Sequence, residues 1–288
     1  MIKDYKEHWL DAPKKSSKHS AYFNVYNKIY RQVFQKDKLR ILEIGVSTGG
    51  SLEATASYFS SHKDCRIVGL EFNPNVANFK WENKNITVEI GNAEYIKTFN
   101  DLHSKYGEFD LIIDDGGHTN KQQLRALEAS KFLLKNDGIL IIEDTQCSYL
   151  AEFGNPSGNS IIEVSKKMID GINARSEIIS LKPMELEVAS IEFSVGMVIF
   201  RFDKSEGADK CTQIVNRAEQ SGTEDYRFKS QRKSVLRTLI KSKLIGNFVI
   251  KIKRFHTLKF LLKKMYNFIS KDRKQSLETK KIVKDLLK

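Results

Sequence analysis

The sequence predicts a doubly wound α/β fold: a seven-stranded, mostly parallel sheet with an antiparallel closing strand, followed by a basic helical extension. Three observations carry this expectation. Short, continuous apolar runs alternate with helix-like segments from residue 40 to residue 172. A glycine-rich turn follows the first of these runs, and acids close several of the others. Continuous apolar strands joined by helices imply a parallel sheet covered on both faces.

The elements follow in order. Residues 1–19 are polar and read as a loop or lid. Ser20–Gln35 carries Tyr22, Phe23, Val25, Tyr26, Ile29, Tyr30 and Phe34 at helical spacing. Arg40–Gly45 is the first strand and Ser51–Phe59 the helix after it. Arg66–Glu71 and Thr87–Ile90 read as strands two and three. Asn100–Tyr106 is helical, Phe109–Asp114 a strand, Lys121–Leu134 an amphipathic helix, Gly138–Asp144 a strand and Ser160–Ile172 a helix. Two runs, Glu177–Leu181 and Ile191–Phe202, are expected to close the sheet as an antiparallel pair. The organisation is then a lid and helix over 1–35, a core domain over 36–203, a polar linker over 204–233 and a basic amphipathic tail over 234–288.

The net charge of +12 is unevenly placed. From Arg227 to Lys288 there are 20 Lys+Arg against 3 Asp+Glu, whereas the residues before Arg227 hold 28 against 33. A basic tail on a mildly acidic body points either to a separate partner or to packing on the body itself. Interleaved with Leu, Ile and Phe over 234–270, the tail suits an anionic membrane surface or a helical subdomain. No nucleic-acid motif accompanies the charge, so no specific nucleic acid is expected. The three cysteines are widely spaced and form no zinc pattern. With no signal-like start and no long apolar run, a cytoplasmic location is expected, with peripheral attachment to the inner face of a membrane as an option.

Three clusters carry chemistry. The first is Glu43-Ile44-Gly45-Val46-Ser47-Thr48-Gly49-Gly50-Ser51, between a strand and a helix. Its glycines allow a sharp turn and close approach of a ligand to backbone N–H groups at the helix start. An ordinary tight turn would look similar, but the spacing excludes a dinucleotide loop. The second is Glu71, an acid ending the second strand, where it can accept both hydroxyls of a ribose. Asn92 and Ala93, after the third strand, lie where a base would sit. The third is Asp114-Asp115-Gly116-Gly117-His118, with Glu143-Asp144 ending the next strand. Adjacent strands would gather these carboxylates, which repel unless a cation or proton lies between them. Oxygen donors favour a hard ion such as magnesium, or manganese, and His118 is suited to take a proton from a hydroxyl. Strand-end acids also cap helices, so these residues have a structural alternative.

The E-x-G-x-x-x-G-G loop resembles the first motif of class I methyltransferases. RILEIGVSTGGSL, LIIDDGGH and LIIEDT, in this order, resemble the macrocin O-methyltransferase family and its cephalosporin-hydroxylase-like relatives. Lys18-His19-Ser20-Ala21-Tyr22, followed by Tyr26, is similar to a stretch these proteins carry before the first strand. The resemblance covers about residues 15–202. It implies a Rossmann-like fold and a magnesium-assisted transfer of methyl from S-adenosylmethionine to a sugar or glycan hydroxyl. By the motif match, Glu43, Gly45, Ser47, Gly49, Gly50, Ser51, Glu71, Asn92, Ala93 and Asp114 would bind the cofactor. Asp115 and Asp144 would hold the metal, with Glu143 a candidate third ligand, and His118 would be the general base. A homo-oligomer is expected. The alternatives are a phenolic or RNA hydroxyl as acceptor, and a non-catalytic membrane-associated protein that keeps the fold.

Overall fold

The computed structural model describes residues 3–154, 157–173, 187–204 and 273–286, with the side chains of the last stretch from Glu278 onward. Its centre is a seven-stranded sheet of order β3-β2-β1-β4-β5-β7-β6. The strands are β1 (Leu39–Ile44), β2 (Cys65–Glu71), β3 (Ile86–Ile90), β4 (Phe109–Asp114), β5 (Leu134–Ile142), β6 (Val188–Ser194) and β7 (Met197–Phe202). β1 to β5 pair in parallel, and β7 runs antiparallel to both β5 and β6. The predicted fold class is therefore the observed one.

The strands are apolar throughout because both faces are covered. Side chains alternate between faces along each strand. In β1, Ile41 enters one core, while Leu42 and Ile44 enter the other. The first face is covered by α1 (Tyr5–Leu10), α2 (Tyr22–Val33) and α3 (Gly50–Tyr58), which add Tyr5, Tyr26 and Leu52 to the core around Ile41, Ile113 and Ile141. The opposite face is covered by α4 (Ile96–Tyr106), α5 (Asn120–Leu133) and α6 (Ile161–Asn173), through Phe99, Leu124 and Val164.

Four boundaries differ from the sequence reading. Residues 1–19 hold a six-residue helix, α1, nucleated by a capping box in which Asp4 and Glu7 satisfy each other's backbone N–H groups. β5 ends at Ile142, so Glu143 and Asp144 lie beyond the strand. Ile191–Phe202 is not one strand. It belongs to the hairpin β6–β7, because Gly196 takes φ +69° and turns the chain. Glu177–Leu181, expected to be the other closing strand, lies outside the described residues.

The chain ends in α7 (Arg273–Leu286), which packs on α5. Ile282, Val283 and Leu286 are buried in the core beside α5, and Glu278 pairs with Lys121. The end of the basic tail thus packs on the body, while the segment 234–270 lies outside the described residues. No helix among the described residues is long and apolar enough to cross a membrane.

Candidate active site

From β1 the chain passes to β2 and β3 on one side, then returns to β4 on the other. Such a reversal opens a crevice at the carboxyl ends of β1 and β4, where ligands of open α/β sheets bind. The glycine loop leaves β1 and the Asp-Asp-Gly-Gly-His turn leaves β4, so both clusters meet at this crevice. They meet closely. Gly45 has φ +91°, and a Cβ on it would lie 2.7 Å from the carbonyl carbon of Asp115. Only glycine fits there.

The loop is held from two sides. Glu71 Oε2 accepts the N–H groups of Val46 and Ser47, both at 2.9 Å, and its Oε1 accepts from Asn73 N at 2.9 Å. Ser47 sits at φ +51°, and Gly49 is the left-handed N-cap of α3, followed by Gly50 and Ser51 in its buried first turn. Residues 14–16 cross over the loop: Thr48 Oγ1 donates to the carbonyl of Lys15, and Lys14 Nζ lies 5.4 Å from the centre of the Trp81 ring. Asn92 uses its side chain to cap the turn after β3, accepting from Glu94 N at 2.8 Å, and Ala93 is buried beside it.

Asp115, His118 and Asp144 form the sharpest cluster. Each offers a donor atom, and these atoms all lie within 4.8 Å of one another. His118 Nε2 is 3.3 Å from Asp144 Oδ2. The buried His118 Nδ1 has no hydrogen-bond partner among the described residues. His118 and Asp144 have φ of +56° and +51°, where non-glycine residues are uncommon and strain is tolerated mainly at functional sites. Each is held there by its neighbours. His118 precedes the Thr119–Gln122 capping box of α5, which fixes the turn. Asp144 Oδ1 accepts from Tyr22 Oη at 2.6 Å and Gln146 Nε2 at 2.9 Å. Burial works against the charge of Asp144, but these two bonds outweigh it and hold the carboxyl below its usual range.

Glu143 is not in that cluster. Its carboxylate points to the α2 face, where Lys18 Nζ donates to Oε1 at 2.7 Å and to Oε2 at 2.8 Å, and Tyr26 adds a hydrogen bond to Oε1. The same ammonium reaches Asp115 Oδ2 at 3.0 Å. The side chains of Lys18 and Glu143 are each only 1% exposed. Burial opposes the Lys18 charge, yet Glu143 and then Asp115 outweigh it and keep the ammonium protonated well above the ordinary lysine range. Burial pushes Glu143 up to about 7, against the pull of Lys18. Glu43 is buried with both carboxylate oxygens lacking hydrogen bonds among the described residues, and burial raises it to about 8. Asp114, also buried, is raised by burial to about 7, with Oδ2 unpartnered among the described residues.

The structure therefore gathers Asp115, His118 and Asp144 and sets Glu143 behind them. Lys18, Tyr22, Tyr26 and Gln146 carry no role in the sequence reading. Tyr22 and Tyr26 are four residues apart, which places both on one face of α2. That spacing was visible, but its target across the sheet was not.

The fold and the loop define a methyltransferase domain, and residues 42–145 match the family model described as such. More particularly, the chain is a distant homologue of macrolide-sugar O-methyltransferases. It is 29% identical over 139 residues to demethylmacrocin O-methyltransferase of Streptomyces fradiae, covering 46% of this chain and 33% of that protein. It is 28% identical over 160 residues to mycinamicin VI 2''-O-methyltransferase of Micromonospora griseorubida, covering 51% of this chain and 38% of that protein. The chain thus spans well under half the length of these curated relatives. Among solved structures, the MycE methyltransferase from the mycinamycin biosynthetic pathway, in complex with Mg and SAH, shares the fold. Its TM-score is 0.60 at 21% identity, covering 70% of this chain and 55% of that one.

Proposed function

We propose that the protein transfers a methyl group from S-adenosylmethionine to a sugar hydroxyl, with assistance from a magnesium (or manganese) ion. The observation that carries this reading is the Asp115–His118–Asp144 cluster, with its donor atoms within 4.8 Å, at the crevice that the glycine loop borders.

The residues present fit both groups. Two carboxylates facing one point without a hydrogen-bonding donor between them suit a hard cation. For the cofactor, the loop offers turn backbone at the start of α3, and Glu71 stands at the end of β2, where the ribose would lie. Phe72 is 71% exposed beside Glu71, leaving an apolar surface on the side where Asn92 and Ala93 would meet the adenine. Relatives solved with Mg and SAH, or active on sugar hydroxyls of macrolides, support the same assignment.

In this reading Asp115 and Asp144 hold the cation. Bound there, it lowers the pKa of a hydroxyl beside it, while S-adenosylmethionine supplies the methyl group. His118 is the nitrogen donor of the three and the least suited to magnesium, so its Nε2 receives the hydroxyl proton. Tyr22 and Gln146 fix the rotamer of Asp144. Lys18 holds Glu143 away from the cation and orients Asp115. The acceptor is a sugar or glycan, in surface-glycan or glycosylated natural-product assembly.

Calorimetry with S-adenosylhomocysteine and Mg2+ tests this on wild type and on Asp115→Ala. Wild type is expected to bind both, and the variant to keep the cofactor product but lose the metal. A folded wild type that binds neither overturns the proposal.

A further inference from the structure

One cavity stands beside the cluster. Its volume is about 450 Å³, within the range of small-molecule sites, and it opens between α6 and the β6–β7 hairpin. It begins where the metal cluster ends: Thr145 and Gln146 line it directly after Asp144, and Gly196 lines it while its carbonyl accepts from Tyr22 Oη at 3.2 Å. Tyr22 is the residue bonded to Asp144 Oδ1.

The cavity changes character along its length. At the Asp144 end is Gln146, whose Nε2 is spent on Asp144 while its buried Oε1 has no hydrogen-bond partner among the described residues. A buried carbonyl oxygen without a partner is costly and is suited to a ligand hydroxyl. At the far end the lining turns apolar, with Phe193 45% exposed, Ile169 38% exposed and Ile162 beneath them. The cation in the lining, Lys166, is paired with Glu163 at 3.0 Å. The lining described thus carries no unpaired positive charge for a phosphate.

We infer that this cleft receives an uncharged glycoside, its hydroxyls at Gln146 and Asp144 and its apolar aglycone on Phe193 and Ile169. The inference rests on the methyl-transfer reading and names the class of its acceptor: a finished glycoside, not a nucleotide-activated sugar. The polar end supplies orientation. The apolar end supplies affinity, because water leaves the exposed Phe193 and Ile169 surfaces on binding. Methylation then follows glycosyl transfer to the aglycone. The class of reaction that supplies this substrate is a glycosyl transfer.

The test uses the full chain with Mg2+ and measures binding of four probes by saturation-transfer NMR and calorimetry. They are methyl, octyl and 2-naphthyl β-D-glucopyranoside, and UDP-glucose, each below its aggregation limit. The octyl or naphthyl glycoside is expected to bind about tenfold more tightly than the methyl glycoside, the order set by withdrawing such a group from water. A preference for octyl marks a chain-like aglycone, and a preference for naphthyl a ring. Phe193→Ser and Ile169→Ser, both at exposed positions, are expected to remove most of that gain while S-adenosylhomocysteine affinity is unchanged. Equal binding of the three glycosides, tightest binding of UDP-glucose, or serine variants that bind like wild type would each overturn the inference. Loss of S-adenosylhomocysteine binding in wild type strikes the methyl-transfer reading instead. Glycoside binding measured without it still decides the cleft.

Discussion

At the residue scale, the site is organised around a buried ammonium. Lys18 neutralises Glu143 and braces Asp115 from behind, which leaves Asp115 and Asp144 facing the crevice. Removing one partner of a buried ion pair strands the other, at a cost of about 3–5 kcal/mol, whereas replacing both costs less. Lys18→Met is therefore expected to lower the melting temperature sharply, and Lys18→Met combined with Glu143→Gln to recover much of it. Thermal melts of the three variants check this. Glu43 gives a pH signature. A carboxyl raised by burial from its ordinary 4.5 to about 8 binds its proton more tightly in the folded chain than in the unfolded one. Its contribution to stability is fully present below pH 4.5 and is lost as pH rises through 8. Glu43→Gln should flatten that slope, leaving the variant more stable than wild type at pH 8.5 in urea titrations.

At the scale of elements, turns do most of the placing. The β6–β7 turn is one example. Gly196 has φ +69°, and a Cβ there would sit 2.9 Å from Gln146 Oε1 and press on the Tyr22 hydroxyl. Gly196→Ala carries the strain of a left-handed residue, about 1–2 kcal/mol, and pushes Tyr22 away from Asp144. The expected outcome is a several-fold weaker Mn2+ affinity, read by electron paramagnetic resonance, with the secondary structure retained. The capping box of α5 does the corresponding work for His118, and the register of β4 against β5, Asp114 opposite Ile142, brings the two acid-bearing turns side by side.

At the scale of the whole molecule, the sheet has a cofactor edge and two packed faces, and the chain's last helix thickens one of them. α7 carries many lysines, yet Ile282 is 3% exposed and Leu286 2% exposed against the α5 side. Ile282→Ala is expected to cost about 2–4 kcal/mol, as large-to-small changes in a core do. Urea unfolding measures it, and a solvent-facing helix would show almost no change.

Periodicity made the parallel sheet legible, because strands buried on both faces must be apolar at every position. Glycines and acids at strand ends marked the crevice, because only those residue types turn sharply or gather charge there. The local pattern also found Asp115, His118 and Asp144. What it left open depended on contacts between residues far apart in the chain. Lys18 and Glu143 are 125 positions apart, so no spacing rule links them. The division of the acids was settled the same way: Glu143 and Asp144 are adjacent, but the backbone beyond β5 turns one toward Lys18 and the other, at φ +51°, toward His118. The hairpin at Gly196 was hidden because a glycine within an apolar run reads equally as strand or turn until its neighbours are known. Sequence alone determined which residues are suited to the chemistry. The tertiary structure decided which of them meet, because burial, pairing and the direction of a side chain are set by neighbours that only folding supplies.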